Sequence, residues 1–328
     1  MFVRIIPYKY RMKKLVLFIY CVFPALFYAQ IPKYSPKVNF AIEIYAFLKG
    51  QNSALQKVAS QFPELQLNVA AAEKNSNVLF GRAKQNIEHF LQDELGNSEY
   101  NKLQNSLDSL LNKQLKNPIE NEKYALDFLA KFKERSSSIT DTLLLKGIIS
   151  FAYHDAPHEE IIDSHSEIFT TQDHPKAEQS ILKFPIPKSW LAEEAEMPET
   201  VQQFTSYYGK GNEKILIVIY DLPAEYDDVV LSQNSISKMI APDANLIRTD
   251  AVTIDGRPAI MIEVEEIINS AAPEMKVRML QFMFIHEGKL YCLQGSIGPV
   301  EVNKNLEFQI KKYEPLFRLI AANTQIGS

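Results

Sequence analysis

Fourteen residues from His154 to Glu167, HDAPHEEIIDSHSE, gather three imidazoles (His154, His158, His165) and five carboxylates (Asp155, Glu159, Glu160, Asp163, Glu167). Imidazole nitrogens and carboxylate oxygens are common zinc ligands and common acids and bases in hydrolysis. His154 and His158 are four apart, which suits one helical face. Pro157 stands between them, however, and fits only near a helix start. The stretch contains no H-E-x-x-H and no cysteine. Ligands must also be aimed at one point by rigid spacing and supporting hydrogen bonds. The stretch therefore reads as a solvated polar connector. Its alternative is a metal-assisted hydrolase built on His154, His158 and His165.

Other chemistry is sparse. There is no G-x-S-x-G, no phosphate-cradling lysine loop and no G-x-G-x-x-G. GKGNEK, from Gly209, lacks the hydroxyl and following helix of a phosphate loop and reads as a hairpin turn. Glu263 and Glu265 share one face of a strand-like run and could form a carboxylate pair; a strand passing to the sheet edge is the plainer account. Cys292 lies in an apolar alternating run and reads as a buried strand thiol, without the polarising neighbour a nucleophile wants. Trp190, the sole tryptophan, is expected to pack against the sheet. His174 precedes Pro175 and reads as a turn residue, and His89 falls among exposed helix positions. No catalytic residue and no cofactor is expected.

These side chains belong to a chain of 328 residues, 46% hydrophobic and 23% charged, which is comfortable for two domains with real cores. Residues 1–29 carry Arg4, Lys9, Arg11, Lys13 and Lys14 and no acid. Without those five charges the formal −5 becomes −10, and so acidic a body repels phosphate backbones. Nucleic acid is excluded on that ground. Behind Lys14 the uncharged run from Leu15 to Ala29 has the form of a signal peptide and is short for a membrane span. Cleavage would leave Gln30 first, and Met12 is an alternative start. The address is periplasmic or secreted, with a retained N-terminal membrane anchor as the alternative. Cys21 leaves with the signal, so Cys292 has no internal partner.

From Val38 to about Ser150 the apolar period is helical. Leu79, Ala83, Ile87, Phe90, Leu91 and Leu95 line one face, ending at Gly96. Tyr100, Leu103, Leu107, Leu110, Leu111 and Leu115 line the next, and Pro118 opens a third segment. Gly50 is expected to stop the first helix. After Ser180 the period becomes two. KILIVIYDLP and VRMLQFMFIHEG are apolar on both faces, the pattern of a sheet covered on both sides. Asp255-Gly256 and Glu287-Gly288 are hairpin signals that imply antiparallel neighbours. SQNSISKMIA and the C-terminal NLEFQIKKYEPLFRLIAANT are the expected covering helices.

LKFPIPKSW, Leu182 to Trp190, resembles the strand-then-P-x-x-W opening of the PsbP-like superfamily. IHEGKLYCLQGS, Ile285 to Ser296, resembles its late hairpin, and a closing helix agrees with it. The resemblance spans roughly residues 180–328. It implies an α-β-α sandwich used mainly for docking to partners and helping assemblies, and it leaves the helical half unexplained.

The expected class is α+β: an all-helical domain followed by a PsbP-like sandwich with a central antiparallel sheet. The expected division is a signal peptide over 1–29, a helical domain over 30–153, a linker over 154–179 and the sandwich over 180–328. The expected role is non-catalytic: a binding, scaffold or assembly component partnered by another envelope protein, with no stable transmembrane segment after signal cleavage. A small-ligand carrier with its pocket between the domains is the further alternative.

Overall fold

The computed structural model describes residues 34–137, 142–195, 197, 199–222, 231–232, 236, 244–268 and 274–327. The expected signal segment, and most of SQNSISKMIA, lie outside the described residues.

Ser35 opens helix α1 (Pro36–Gln61) by accepting the Val38 N–H with its hydroxyl, and Pro36 occupies the first turn, where its missing N–H costs nothing. The helix runs through Gly50. Leu55 and Val58 beyond it are buried, so packing outweighs the small helix penalty of one glycine, and the expected stop is corrected. After a single 3₁₀ turn come α2 (Gln66–Ser76), a π-turn at Asn77–Gly81 and α3 (Arg82–Gln114). Gly96, at φ 71°, breaks α3 in the middle, where the apolar period predicted an end. Helix α4 is Glu122–Ser137, and α5 is Leu143–Ala152, with Thr142 capping the Leu145 N–H. Their apolar stripes share one core that includes Tyr45, Ile87, Leu91, Ile148 and Phe151.

The remainder is built on a seven-stranded sheet of order β3-β4-β5-β9-β8-β7-β6. Its strands are β3 (Leu191–Glu193), β4 (Thr200–Thr205), β5 (Glu213–Asp221), β6 (Asn245–Ile254), β7 (Arg257–Ile268), β8 (Met275–His286) and β9 (Lys289–Glu301). Every pairing is antiparallel. The β6–β7 and β8–β9 turns fall at Asp255-Gly256 and Glu287-Gly288, all four residues having positive φ as tight hairpins require. A smaller sheet, β1-β2-β10, combines β1 (Ser166–Thr170), β2 (Ile181–Pro187) and β10 (Gln325–Gly327). The molecule is thus α+β, with helices first and an antiparallel sheet after.

The two faces of the large sheet are both buried. On one, Met261, Leu280, Phe282, Phe284 and Leu293 meet α7 (Glu307–Ala322) and the small sheet. Gly295 lets α7 come close, because a Cβ there would collide with the Phe317 ring. On the other face Ile262, Val264, Met279, Met283 and Cys292 gather around Ile236.

The segment 154–179 differs from the expected solvated linker. A short helix α6 (Glu159–Ile162) and strand β1 lie in it. Phe169 packs on Phe184 and Phe204, with ring centres 5.3 and 5.1 Å away. Glu160 and Thr171 are 2% and 1% exposed. A strand partner and an apolar neighbour were available, and ordering the backbone there satisfies its hydrogen bonds.

Candidate functional site

The polar side chains of greatest interest gather where the helical half meets the sandwich. The chain between β4 and β5 makes a short helical turn, Ser206–Gly209, in which Tyr207, Tyr208 and Gly209 have φ of 50°, 51° and 82°. Left-handed backbone is costly for a side chain with Cβ, so this turn persists because its surroundings hold it. They do so firmly. The Tyr207 ring is 3% exposed and belongs to the helical core, 5.1 Å from the Phe151 ring. Its hydroxyl lies 2.5 Å from His154 Nδ1. Gly211 is required close by, since a Cβ there would strike the Ser206 hydroxyl and the Glu213 carboxylate.

Lys37, in the first turn of α1, reaches into this joint. Its Nζ stands 3.9 Å from the centre of the Tyr207 ring and 3.6 Å from Glu213 Oε1. The other Glu213 oxygen accepts the Ser206 hydroxyl. Burial opposes charge on both Lys37 and Glu213, yet each is driven towards its charged form, Lys37 raised and Glu213 lowered, because each is the other's counter-ion. On α7, Lys312 is lowered to about 8, by burial first and by the like charge of Lys37 second.

A second buried carboxyl sits on α6. Glu160 Oε1 accepts the Ser189 backbone N–H at 2.8 Å, and Glu160 Oε2 lies 2.6 Å from the Ser189 hydroxyl. Between these two clusters is a small cavity lined by Tyr153, Glu160, Ser189, Trp190, Tyr207 and Tyr313, with room for about one water.

The three histidines of the opening stretch part company. The His154 ring is wedged against Phe90, Phe151 and Tyr207, and burial takes its pKa down to about 2, so it stays neutral. His165 packs on Tyr153 with ring centres 5.7 Å apart and is lowered by burial. His158 Nδ1 is buried and has no hydrogen-bond partner. Among the described residues no three His, Cys, Asp or Glu side chains are placed to hold one metal ion.

Other expectations also meet the structure. Cys292 is a buried strand thiol, raised to about 12 by burial. His89 is exposed on α3, and His174 sits in a turn, its Nδ1 accepting the Lys176 N–H. Trp190 packs edge-on to Tyr313 of α7, 6.3 Å away. Glu263 and Glu265 do not act as a pair. Glu263 Oε1 accepts the Arg278 Nε–H at 2.6 Å, Glu263 Oε2 accepts from Arg248, and Glu265 lies 3.3 Å from Lys276. Strand β7, placed at an edge by the plainer account, is interior, with β6 outside it.

Of the residues that build the joint, the sequence singled out His154 and Glu160, as parts of a polar connector, but not Lys37, Tyr207 or Glu213. Lys37 is the second residue of the largely apolar start of α1, and Glu213 opens an apolar strand. A charge in an otherwise apolar periodic run was the available signal, but it does not name its partner.

No family model matches the chain, and no curated protein does. Among solved structures it is similar to the crystal structure of LpqN, involved in cell envelope biogenesis of Mycobacterium tuberculosis. Identity is 12% and the TM-score 0.31, over 53% of this chain and 98% of that one. A likeness that slight carries no argument about this chain.

Proposed function

We propose that this chain is an exported, non-catalytic binding or scaffold component whose two halves are held together by a packed joint. One observation carries the reading. The ionisable and hydroxyl groups at the joint, Lys37 with Glu213, His154 with Tyr207 and Glu160 with Ser189, are spent on one another. The space beside them holds about one water, too little for a carried ligand or a substrate. Binding is accordingly proposed for the outer surface. Export is supported by the basic and then apolar residues 1–29, and the PsbP-like reading of 180–328 belongs to the same proposal. It is supported by the hairpin at Glu287-Gly288, whose Tyr291 stacks on Phe284 at 4.8 Å. No described helix is long and apolar enough to cross a membrane.

The test is expression of the full chain from its own N-terminus, followed by fractionation, intact-mass measurement and cross-linking in the intact envelope. The expected product begins near Gln30, lies outside the cytoplasm and forms discrete adducts with an envelope protein. A cytoplasmic product, or zinc-dependent hydrolysis of simple esters that is lost with His154, His158 and His165, overturns the reading.

A further inference from the structure

The joint contains one carboxyl to which the pairing above assigns no cation. Glu160 is 2% exposed, and its hydrogen-bond partners are the N–H and hydroxyl of Ser189, both neutral; protonated, its Oε2–H donates to that hydroxyl while Oε1 still accepts the N–H. Its surroundings connect three parts of the molecule. Glu159, its neighbour on α6, bonds Arg82 of α3. The Ser189 carbonyl accepts the Tyr208 N–H at 2.8 Å, tying the left-handed turn to the same point. The cavity adjoins the carboxyl itself. A carboxylate in such a place loses hydration that neutral donors only partly replace, so its charge state bears directly on whether the contact stays closed.

We propose that Glu160 is a proton-controlled latch: neutral, it fastens α6 and the Tyr207 turn to Ser189, and ionised, it draws water into the adjoining cavity and loosens them. The groups facing it are few. Lys188, beside Ser189, contributes a positive charge, which favours ionisation. On its own segment Glu159 is engaged by Arg82, and Asp163 accepts the Tyr153 hydroxyl. Tyr153 after α5, Tyr207 in the turn and Tyr313 on α7 line the cavity; burial raises all three, and they remain protonated at neutral pH. Burial pushes the Glu160 carboxyl up to about 8 against the opposing pull of Ser189 and Lys188.

The direction follows. Between the ordinary value of 4.5 and about 8 the folded chain keeps a proton that the unfolded chain has released, so the joint weakens as pH rises through that window. Lys312 acts in the opposite sense and in another window. Lowered from 10.5 to about 8, it adds stability as pH rises between those values.

The experiment is hydrogen exchange of the full chain near pH 5.5 and near pH 8, corrected for intrinsic rates. It follows peptides covering 159–165, 188–190 and 206–211, with the β8–β9 ladder as reference. Joint protection in the wild type is expected to fall about tenfold or more, while the reference holds. Glu160→Gln, neutral and nearly isosteric, is expected to abolish the fall, and Lys312→Arg to retain it. Ser189→Ala is expected to loosen the joint at both pH values. Equal wild-type protection at both pH values, a reference that falls with the joint, or a Glu160→Gln variant that keeps the fall would each overturn the latch.

Discussion

His154 Nδ1, just past the end of α5, lies 2.5 Å from the hydroxyl of Tyr207, in the turn that leads into β5. One hydrogen bond thus joins the last residues of the helical half to a left-handed turn of the sandwich. Tyr207 is 3% exposed and His154 is partly buried beside it, so little solvent is at hand to replace a lost bond. Tyr207→Phe keeps the ring among Phe151, His154 and Lys37 and removes only the hydroxyl. It is expected to cost about 1–3 kcal/mol in urea unfolding, the usual penalty for a buried group left unsatisfied. A cost near zero would mean that the joint relaxes to admit water.

Lys37→Met is expected to cost more, about 3–5 kcal/mol, because it takes the nearest cation from the buried Glu213 carboxylate and leaves it the weaker pull of Lys312. Its pH dependence has a definite sign. Glu213 is held below its ordinary 4.5 by Lys37 and Ser206, so it contributes stability above that value, which is lost as pH falls through the folded value. In Lys37→Met the acid-side loss should shrink. Thermal unfolding from pH 3 to 7 in both proteins reads the difference.

The histidines should behave unequally. His154→Ala opens space among Phe90, Phe151 and Tyr207 and is expected to cost about 2–4 kcal/mol. His165→Ala, on a half-exposed ring, is expected to cost about 1 kcal/mol or less. Neither chelator nor added zinc should move the wild-type midpoint. A zinc-dependent rise that vanishes in the triple variant of His154, His158 and His165 would restore the metal reading.

Glu263 and its near neighbour Glu265 offer an internal control. Glu263 is 2% exposed and bonds two guanidinium groups, Arg248 from β6 and Arg278 from β8, and Arg248 continues to Glu314 of α7 at 2.6 Å. Glu263→Gln removes the buried carboxylate that both guanidinium groups share, while Arg248 keeps Glu314 and Arg278 keeps Glu307, and is expected to destabilise by about 1–3 kcal/mol. Glu265→Gln removes one partly exposed ion pair, expected to be worth about 1 kcal/mol or less. Chemical denaturation of the two variants side by side checks the order.

Local signals carried far in this chain. A 3.6-residue apolar period marks helices because each must bury one stripe, and α1, α3, α4 and α5 follow it. Asp255-Gly256 and Glu287-Gly288 mark hairpins because glycine readily takes the left-handed backbone that the second turn position requires. Cys292 was legible as a buried thiol because its neighbours alternate. The same logic failed at Gly50, where burial of Leu55 and Val58 outweighed a weak local preference.

The joint was not legible in this way. Charge in the sequence is visible as composition, but its energy depends on which groups share a dry volume. The run from His154 to Glu167 looked uniformly polar, yet His154 and Glu160 turn inward and Asp155 turns outward. Lys37 and Glu213 lie far apart in the chain and meet because α1 starts where β5 begins. The sequence determined the elements, the hairpin turns and the acidic surface, all set by neighbours a few residues away. Only tertiary packing decided which carboxyls gained a cation and which, like Glu160, gained neutral donors, because desolvation and Coulomb energy follow distance in space and not along the chain.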